Sequence, residues 1–185
     1  EYSFNNTGVI DETTILEGSL PENYSYEVLL NIHFDNLKEY SKSIERFRSI
    51  ISISSPEYYE FIHGISRTLE NKNYIEWCIS LLSEEIVRSI DEDNMELSER
   101  LKVDLIETSL RYGVQNIAWD IIIHDIAYHE TFFGPYDEQI PTYMDVETYV
   151  EKLFSFAWAY QSINDYDTMI KYTNILDAVL KNNVV

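Results

Sequence analysis

The chain has 185 residues, with 33 Asp and Glu against 13 Lys and Arg, and its formal net charge is −20. This excess argues against non-specific binding to DNA or RNA and against anionic membranes, because such partners need Lys and Arg to neutralise their phosphates. Hydrophobic residues make up 45% of the chain, too many for a disordered acidic tail. Composition therefore predicts a globular protein whose natural partner is a basic protein, or else a surface charged only for solubility.

Gly and Pro are scarce, at 5 and 4 residues, which favours long helices with short loops over a sheet with many tight turns. The single cysteine, Cys78, lies in an apolar helical stretch and cannot form an internal disulfide, as suits a reducing compartment. No apolar run reaches the roughly 20 residues that span a bilayer. We therefore expect a cytoplasmic protein, with a leader removed before Glu1 as the alternative.

In chain order, residues 1–24 are predicted to form an irregular arm, and residues 25–185 a single helical domain. Apolar residues recur there at helical spacing. Ser55 and Pro56 are typical of a helix start, and Gly113 of a helix end. The longest break, 132–145, contains Gly134, Pro135 and Pro141. The predicted helices cover residues 25–36, 39–53, 57–69, 73–90, 98–112, 114–131, 146–163 and 166–181.

The segment from Leu153 to about residue 176 contains Phe156-Ala157-Trp158-Ala159-Tyr160, then Asn164-Asp165-Tyr166 and Met169. It resembles a tetratricopeptide repeat. Leu153, Phe156, Ala157 and Tyr160 match the first-helix positions of that family, and Tyr166 matches the aromatic position after the turn. Two departures are Asn164 in place of the turn glycine and Met169 in place of a small residue. The resemblance implies paired antiparallel helices that stack on neighbouring pairs.

Weaker copies of the same turn occur at Lys38-Glu39-Tyr40, Lys72-Asn73-Tyr74 and Gly113-Val114-Gln115. Tyr40 and Tyr74 are 34 residues apart, the period of that family. Later spacings are longer, and the extra residues fall in the acidic connection 91–95 and in 132–145. The predicted fold class is therefore all-α, with antiparallel helical hairpins stacked as a short tetratricopeptide-like α-solenoid. An irregular helical bundle is the alternative.

One group of residues could carry chemistry: Asp120, His124, Asp125, His129 and Glu130. Carboxylates and imidazoles can bind a divalent metal or transfer protons. However, His124 and His129 are five residues apart, about 140° around a helix, so they point in different directions. A structural role is the favoured interpretation, and we expect no enzyme activity, no cofactor and no metal. With five scattered glycines, a glycine-rich phosphate loop is not expected either.

The charges are unevenly distributed. Residues 1–37 and residues 112–151 contain no Lys or Arg, but seven and eight acids respectively. The second stretch also contains the aromatic break 132–145. Aromatic side chains are frequent interface anchors, and carboxylates around them attract a basic partner. The predicted partner-binding residues are Phe132, Phe133, Tyr136, Asp137, Glu138, Tyr143, Asp145 and Glu147. Alternatively, the aromatics are core and the acids a solvated rim.

Charge and size favour an acidic protein-binding inhibitor, most concretely an immunity or antitoxin-like protein that neutralises a basic toxin such as a nuclease. One alternative is a nucleic-acid mimic whose carboxylates replace phosphates. Another is a helical-repeat scaffold that holds a peptide. An enzyme using Asp120, His124 and His129 is the remaining hypothesis.

Overall fold

A computed structural model describes residues 44–45, 47–49 and 51–183. The chain divides into two compact units, Glu1–Thr68 and Leu69–Val185. The predicted arm 1–24, its boundary with the helical domain, the predicted helix 25–36 and the turn at Lys38-Glu39-Tyr40 all lie outside the described residues.

Six helices follow one another between residues 56 and 183: α1 Pro56–Asn71, α2 Ile75–Asp91, α3 Met95–Arg111, α4 Gln115–Phe132, α5 Val146–Ser162 and α6 Tyr166–Asn183. The predicted all-α class is confirmed for the part of the chain that the structure describes. Pro56 is the first residue of α1, as expected where its missing N–H removes no helical hydrogen bond. None of the described helices is both long enough and apolar enough to cross a membrane.

Four of the connections are the same short turn. Its second residue has a positive φ, and the four such residues are Asn73, Asp93, Gly113 and Asn164. In the first of these turns the N–H of Asn73 donates to the carbonyl of Glu70 and that of Tyr74 to Leu69, both at 2.8 Å. This pairing ends a helix in a Schellman motif, which favours Gly or Asn at the left-handed position.

The acidic connection near Asp93 therefore differs from its prediction. It was expected to add length between repeats, but it is the same turn as those at Asn73 and Gly113, with Asn94 N–H bonded to Ser89 at 2.8 Å. The left-handed residues Asn73, Asp93 and Gly113 follow at intervals of 20. Two helices with their turns thus span 40 residues here, rather than 34.

In the second unit the helices pack as consecutive antiparallel pairs: α2 with α3, α3 with α4, and α5 with α6. Helix α3 also packs on α5, which joins the last pair to the preceding helices. The buried apolar residues of this unit's main core are Ile106, Leu110, Ala118, Ile122, Tyr136, Met144, Tyr149, Leu153, Phe156, Ala157, Ala159, Tyr172 and Val179. Cys78 is buried.

Side-chain caps fix where α3, α5 and α6 begin. Asn94 accepts from the N–H of Leu97 at 3.1 Å. Asp145 accepts from the N–H of Thr148 at 2.7 Å, and Asp165 does the same with Thr168 at 3.2 Å. These side-chain oxygens satisfy N–H groups that have no partner inside their own helix.

The first unit has a small core of its own. Tyr58, Ile62 and Ile65 are buried along one side of α1, as their helical spacing predicts. The ring of Phe47 lies against Tyr58, with 5.3 Å between centroids.

Candidate functional site

Four aromatic side chains meet where α4 ends. The ring of Tyr128 lies 4.8 Å from that of Phe132 and 6.3 Å from that of Phe133, and Phe133 lies 4.9 Å from Tyr143. Phe132 is 65% exposed, Phe133 49% and Tyr128 42%, whereas Tyr143 is half-buried. We call these four residues the aromatic patch. Three of its members were predicted from the sequence, and Tyr128 was not.

The fold places Tyr136 elsewhere. Its side chain is buried in the core. Its ring is stacked on that of His129, with 3.9 Å between centroids, and meets the ring of Phe156 edge to face at 5.4 Å. Its hydroxyl donates to Oδ2 of Asp125 at 2.6 Å. The expectation that Tyr136 is a surface anchor is therefore corrected, because this hydrogen bond and the surrounding rings hold it inside the fold.

Two further hydrogen bonds attach the 133–145 loop to its helices. Nδ1 of His129 lies 2.8 Å from the carbonyl oxygen of Gly134; since a carbonyl can only accept, the ring nitrogen donates. The hydroxyl of Tyr149 donates to the carbonyl of Asp137 at 2.8 Å. Together with Tyr136, these contacts set the path of the loop and hence the position of Phe133 and Tyr143.

Beneath Tyr136 lies a closed set of four charges, which we call the charge quartet: Glu99 and Lys102 from α3, Asp125 from α4 and Lys152 from α5. Lys102 Nζ lies 2.6 Å from Glu99 Oε1 and 3.3 Å from Asp125 Oδ1. Lys152 Nζ lies 2.6 Å from Asp125 Oδ2 and also pairs with Glu99. Each lysine thus contacts both carboxylates, and the quartet as a whole is neutral.

Burial and ion pairing shift the pKa values of Asp125 and Lys102 in opposite directions. Burial raises the pKa of Asp125, but Lys152 and Lys102 outweigh it and hold that pKa below its usual value. Burial lowers the pKa of Lys102, but the charges of Glu99 and Asp125 raise it by more, so this pKa lies above its usual value. Both groups are therefore held in their charged forms.

The tyrosines around the quartet respond to the same carboxylates. Burial raises the pKa of Tyr136, and the charge of Asp125 raises it further. Burial also raises the pKa of Tyr143, with contributions from Glu99 and Asp125. Both hydroxyls therefore stay protonated at neutral pH.

The four predicted acids are distributed along the loop and the start of α5. Asp137, Glu138 and Glu147 are exposed. Glu138 accepts from the amide of Asn182 at 3.3 Å. Asp145 is the N-cap of α5 and lies 3.6 Å from Arg100 Nε. Asp145 therefore has a structural role that its prediction as a partner-binding residue did not include.

The possible catalytic group is divided between two sides of α4. Asp120 and His124 are exposed, while His129 and Asp125 are buried, as the angle between positions 124 and 129 predicted. Within the described ranges, no three His, Cys, Asp or Glu side chains are arranged to hold a metal. Nε2 of His129 is buried and has no hydrogen-bond partner.

Sequence reasoning missed Glu99, Lys102 and Lys152. One signal was present: Lys152 lies between Tyr149 and Phe156 on the apolar stripe of α5, where a lysine is unusual. A second was the spacing of Glu99 and Lys102, which places them on one face of α3. Neither signal identifies Asp125 as the common partner, since that contact joins distant parts of the chain.

Comparison of the chain with protein-family models, with curated proteins and with solved structures finds no match.

Proposed function

We propose that this protein is an acidic protein-binding inhibitor, most concretely an immunity or antitoxin-like protein that neutralises a basic partner such as a nuclease toxin. The observation that carries the proposal is the exposure of Phe132, Phe133 and Tyr128 in one cluster, within a stretch, 112–151, that contains eight acids and no Lys or Arg. Contiguous exposed aromatic surface is characteristic of interaction sites.

The electrostatic setting supports a basic partner. Lys102 and Lys152 are each paired with Glu99 and Asp125. The exposed acids Asp137, Glu138 and Glu147 lie in the stretch 112–151, which contains no Lys or Arg. A surface of this sign accelerates association with a positively charged protein and disfavours neutral or acidic ones.

The tetratricopeptide resemblance is part of the same proposal. Leu153, Phe156 and Ala157 are buried in the last helical pair, which supports their assignment as first-helix packing residues. Tyr166 is 53% exposed and its hydroxyl bonds Asn164 at 3.0 Å, so it does not fill space beside the turn as the family's aromatic is expected to. We propose a helical-hairpin scaffold of tetratricopeptide type that presents the patch.

The proposal is tested by affinity capture from the native host with three versions of the protein: wild type, Phe132→Ser and Phe154→Ser. Phe154 is the matched control because it is also an exposed phenylalanine, 54% accessible, on α5. We expect wild type and Phe154→Ser to retain the same basic protein, which Phe132→Ser retains poorly and which salt releases. The retained protein should then lose its activity when wild type is added at equal concentration.

Two results would contradict the proposal. One is retention of the same proteins by Phe132→Ser and Phe154→Ser, which would place binding elsewhere. The other is a retained basic protein whose activity the wild type leaves unchanged, which would support binding but not inhibition.

A further inference from the structure

We propose that the aromatic patch binds an arginine side chain of the partner, with the guanidinium group lying on the exposed rings of Tyr128, Phe132 and Phe133. This inference rests on the proposed function and deepens it, since it names the group that a basic partner contributes. Three features of the described residues carry it: the exposed ring surfaces, the helix end beneath them and the local balance of charge.

The rings form a surface of a size that suits a planar cation. Tyr128, Phe132 and Phe133 are all more than two-fifths exposed. The ring centroids of Phe132 and Phe133 lie 4.8 and 6.3 Å from that of Tyr128. These two rings are tilted by 48° and 55° against that of Tyr128. Because the centroids are this close, a cation between two of the rings can lie within about 6 Å of both. Arginine makes such cation–π contacts more often than lysine, and it stacks as well.

The backbone adds a second attraction for a cation. Helix α4 ends at Phe132, and the N–H of Phe133 donates to the carbonyl of His129 at 2.8 Å to close the last turn. The carboxyl end of a helix carries partial negative charge from its terminal carbonyl groups. The patch is built on this end, so a positive group on the rings also lies near that charge.

Charge also decides between possible occupants. A second copy of this chain would bring another net charge of −20 to the surface, and residues 1–37 would bring seven acids and no base. Both are repelled by the acids of 112–151. A purely apolar partner would use the rings but gain nothing from the helix end or the acids. A basic group is favoured by all three features.

One ring of the patch, that of Phe133, is also held in place before any partner arrives. Phe133 contacts His129, with 5.6 Å between ring centroids, and His129 is bonded to Gly134 and stacked on Tyr136. Tyr136 is in turn bonded to Asp125 of the charge quartet. Little ordering of the Phe133 ring is then needed on binding, which lowers the entropic cost of binding.

The test uses three Gly/Ser-rich peptides that are identical except for carrying arginine, lysine or citrulline. Citrulline keeps the planar shape of arginine without its charge. Binding to the 185-residue chain is followed by the amide chemical shifts of α4 and the 133–145 loop. We expect the arginine peptide to bind roughly two- to fivefold tighter than the citrulline peptide, the size of an exposed cation–π contact. The lysine peptide should bind with intermediate affinity, because its ammonium group is charged but does not stack on a ring.

Leucine variants separate ring stacking from simple apolar contact. Phe132→Leu and Phe133→Leu keep apolar side chains but remove the rings, so each should abolish most of the preference for arginine over lysine. Phe154→Leu is the matched control and should leave that preference unchanged.

The outcomes are distinguishable from those of the proposed function. Equal binding of arginine and lysine peptides at the patch would overturn the arginine inference and leave a basic partner intact. Absence of shifts at the patch with every peptide would also overturn it, while the capture experiment decides the proposed function separately. An equal loss of preference in Phe154→Leu would show that the patch is not the site.

Discussion

Lys152 Nζ lies 2.6 Å from Asp125 Oδ2 although the two residues belong to different helices, and their side chains are only 1% and 3% exposed. A protein with 33 acids and 13 bases thus places one lysine, Lys152, in its interior, beside the partly buried Lys102. Removing a charge from water is costly, and the cost is recovered only when every partner is present. The geometry of the charge quartet therefore makes its members depend strongly on one another.

Lys152→Met should destabilise the protein by about 3–5 kcal/mol, because it leaves Glu99 and Asp125 buried with only one lysine between them. The matched control is Lys181→Met. Lys181 pairs with Asp177 on the surface, where the side chains are 72% and 61% exposed, and such pairs contribute at most about 1 kcal/mol. Urea unfolding measures both. Similar midpoints for the two variants would show that the quartet is not buried as described.

Asp125→Asn should change how stability depends on pH. The pKa of Asp125 is lowered in the folded protein, so the unfolded chain takes up a proton first, near pH 3.9. The stability due to this charge is therefore present above about pH 3.9 and is lost as pH falls through the folded pKa. The difference in unfolding free energy between wild type and Asp125→Asn should be largest near neutral pH and shrink in acid. For Asp177→Asn, on the surface, it should stay small throughout, and a pH-independent difference for Asp125→Asn would contradict the assignment.

Tyr136→Phe removes one hydroxyl and keeps the ring. Its hydroxyl donates to Asp125 at 2.6 Å, and hydrogen bonds to charged groups contribute about 1.5–3 kcal/mol. We expect a loss of that size in chemical unfolding, together with weaker protection of the loop amides in hydrogen exchange. Tyr128→Phe, at the 42% exposed Tyr128, should be nearly neutral for stability. Equal effects of the two substitutions would mean that the hydrogen bond of the buried hydroxyl does not stabilise the fold.

At the left-handed turn residues, replacing a glycine by a residue with a side chain should destabilise the protein more than the reverse replacement. Gly113 has φ +75°, and a Cβ added there meets no atom within 4 Å, so Gly113→Ala should cost only the backbone strain, about 1–2 kcal/mol. Asn164 has φ 62°, and Asn164→Gly should be nearly neutral, because glycine adopts this conformation without strain while the exposed hydrogen bond from the Tyr166 hydroxyl is lost. Thermal unfolding of the two variants and wild type measures both effects. Destabilisation by Asn164→Gly as large as that by Gly113→Ala would argue against this account.

The helices were predictable because their apolar stripes repeat at short range. The stripes of 57–69, 114–131 and 166–181 correspond to α1, α4 and α6 within a few residues at each end. The turn at Asp93 was harder to recognise. The left-handed residue there is Asp93 and not a glycine, so the sequence does not mark the turn. Only the helix-ending hydrogen bonds show that this connection is the same type of turn as those at Asn73 and Gly113.

The candidate site was only partly predictable, for a different reason. Exposure of Phe132 and Phe133 follows from their place beside a helix end and a loop. The burial of Tyr136 depends on Asp125, and the charge of Asp125 depends on Lys102 and Lys152 from two other helices. Contacts between helices distant in sequence decide which aromatic residue faces inward, and local composition does not contain that information.

The 20-residue interval between the turns at Asn73, Asp93 and Gly113 limits which insertions and deletions the protein can tolerate. One residue inserted into α3 would rotate everything after it by about 100°, and Asp125 would no longer face Lys102. Insertions and deletions should therefore be poorly tolerated between Asn73 and Gly113. A better candidate lies in the 133–145 loop, at the exposed residues Glu138 and Gln139. They follow the Asp137 carbonyl that Tyr149 holds and precede Pro141, whose carbonyl accepts from the N–H of Met144 at 3.0 Å.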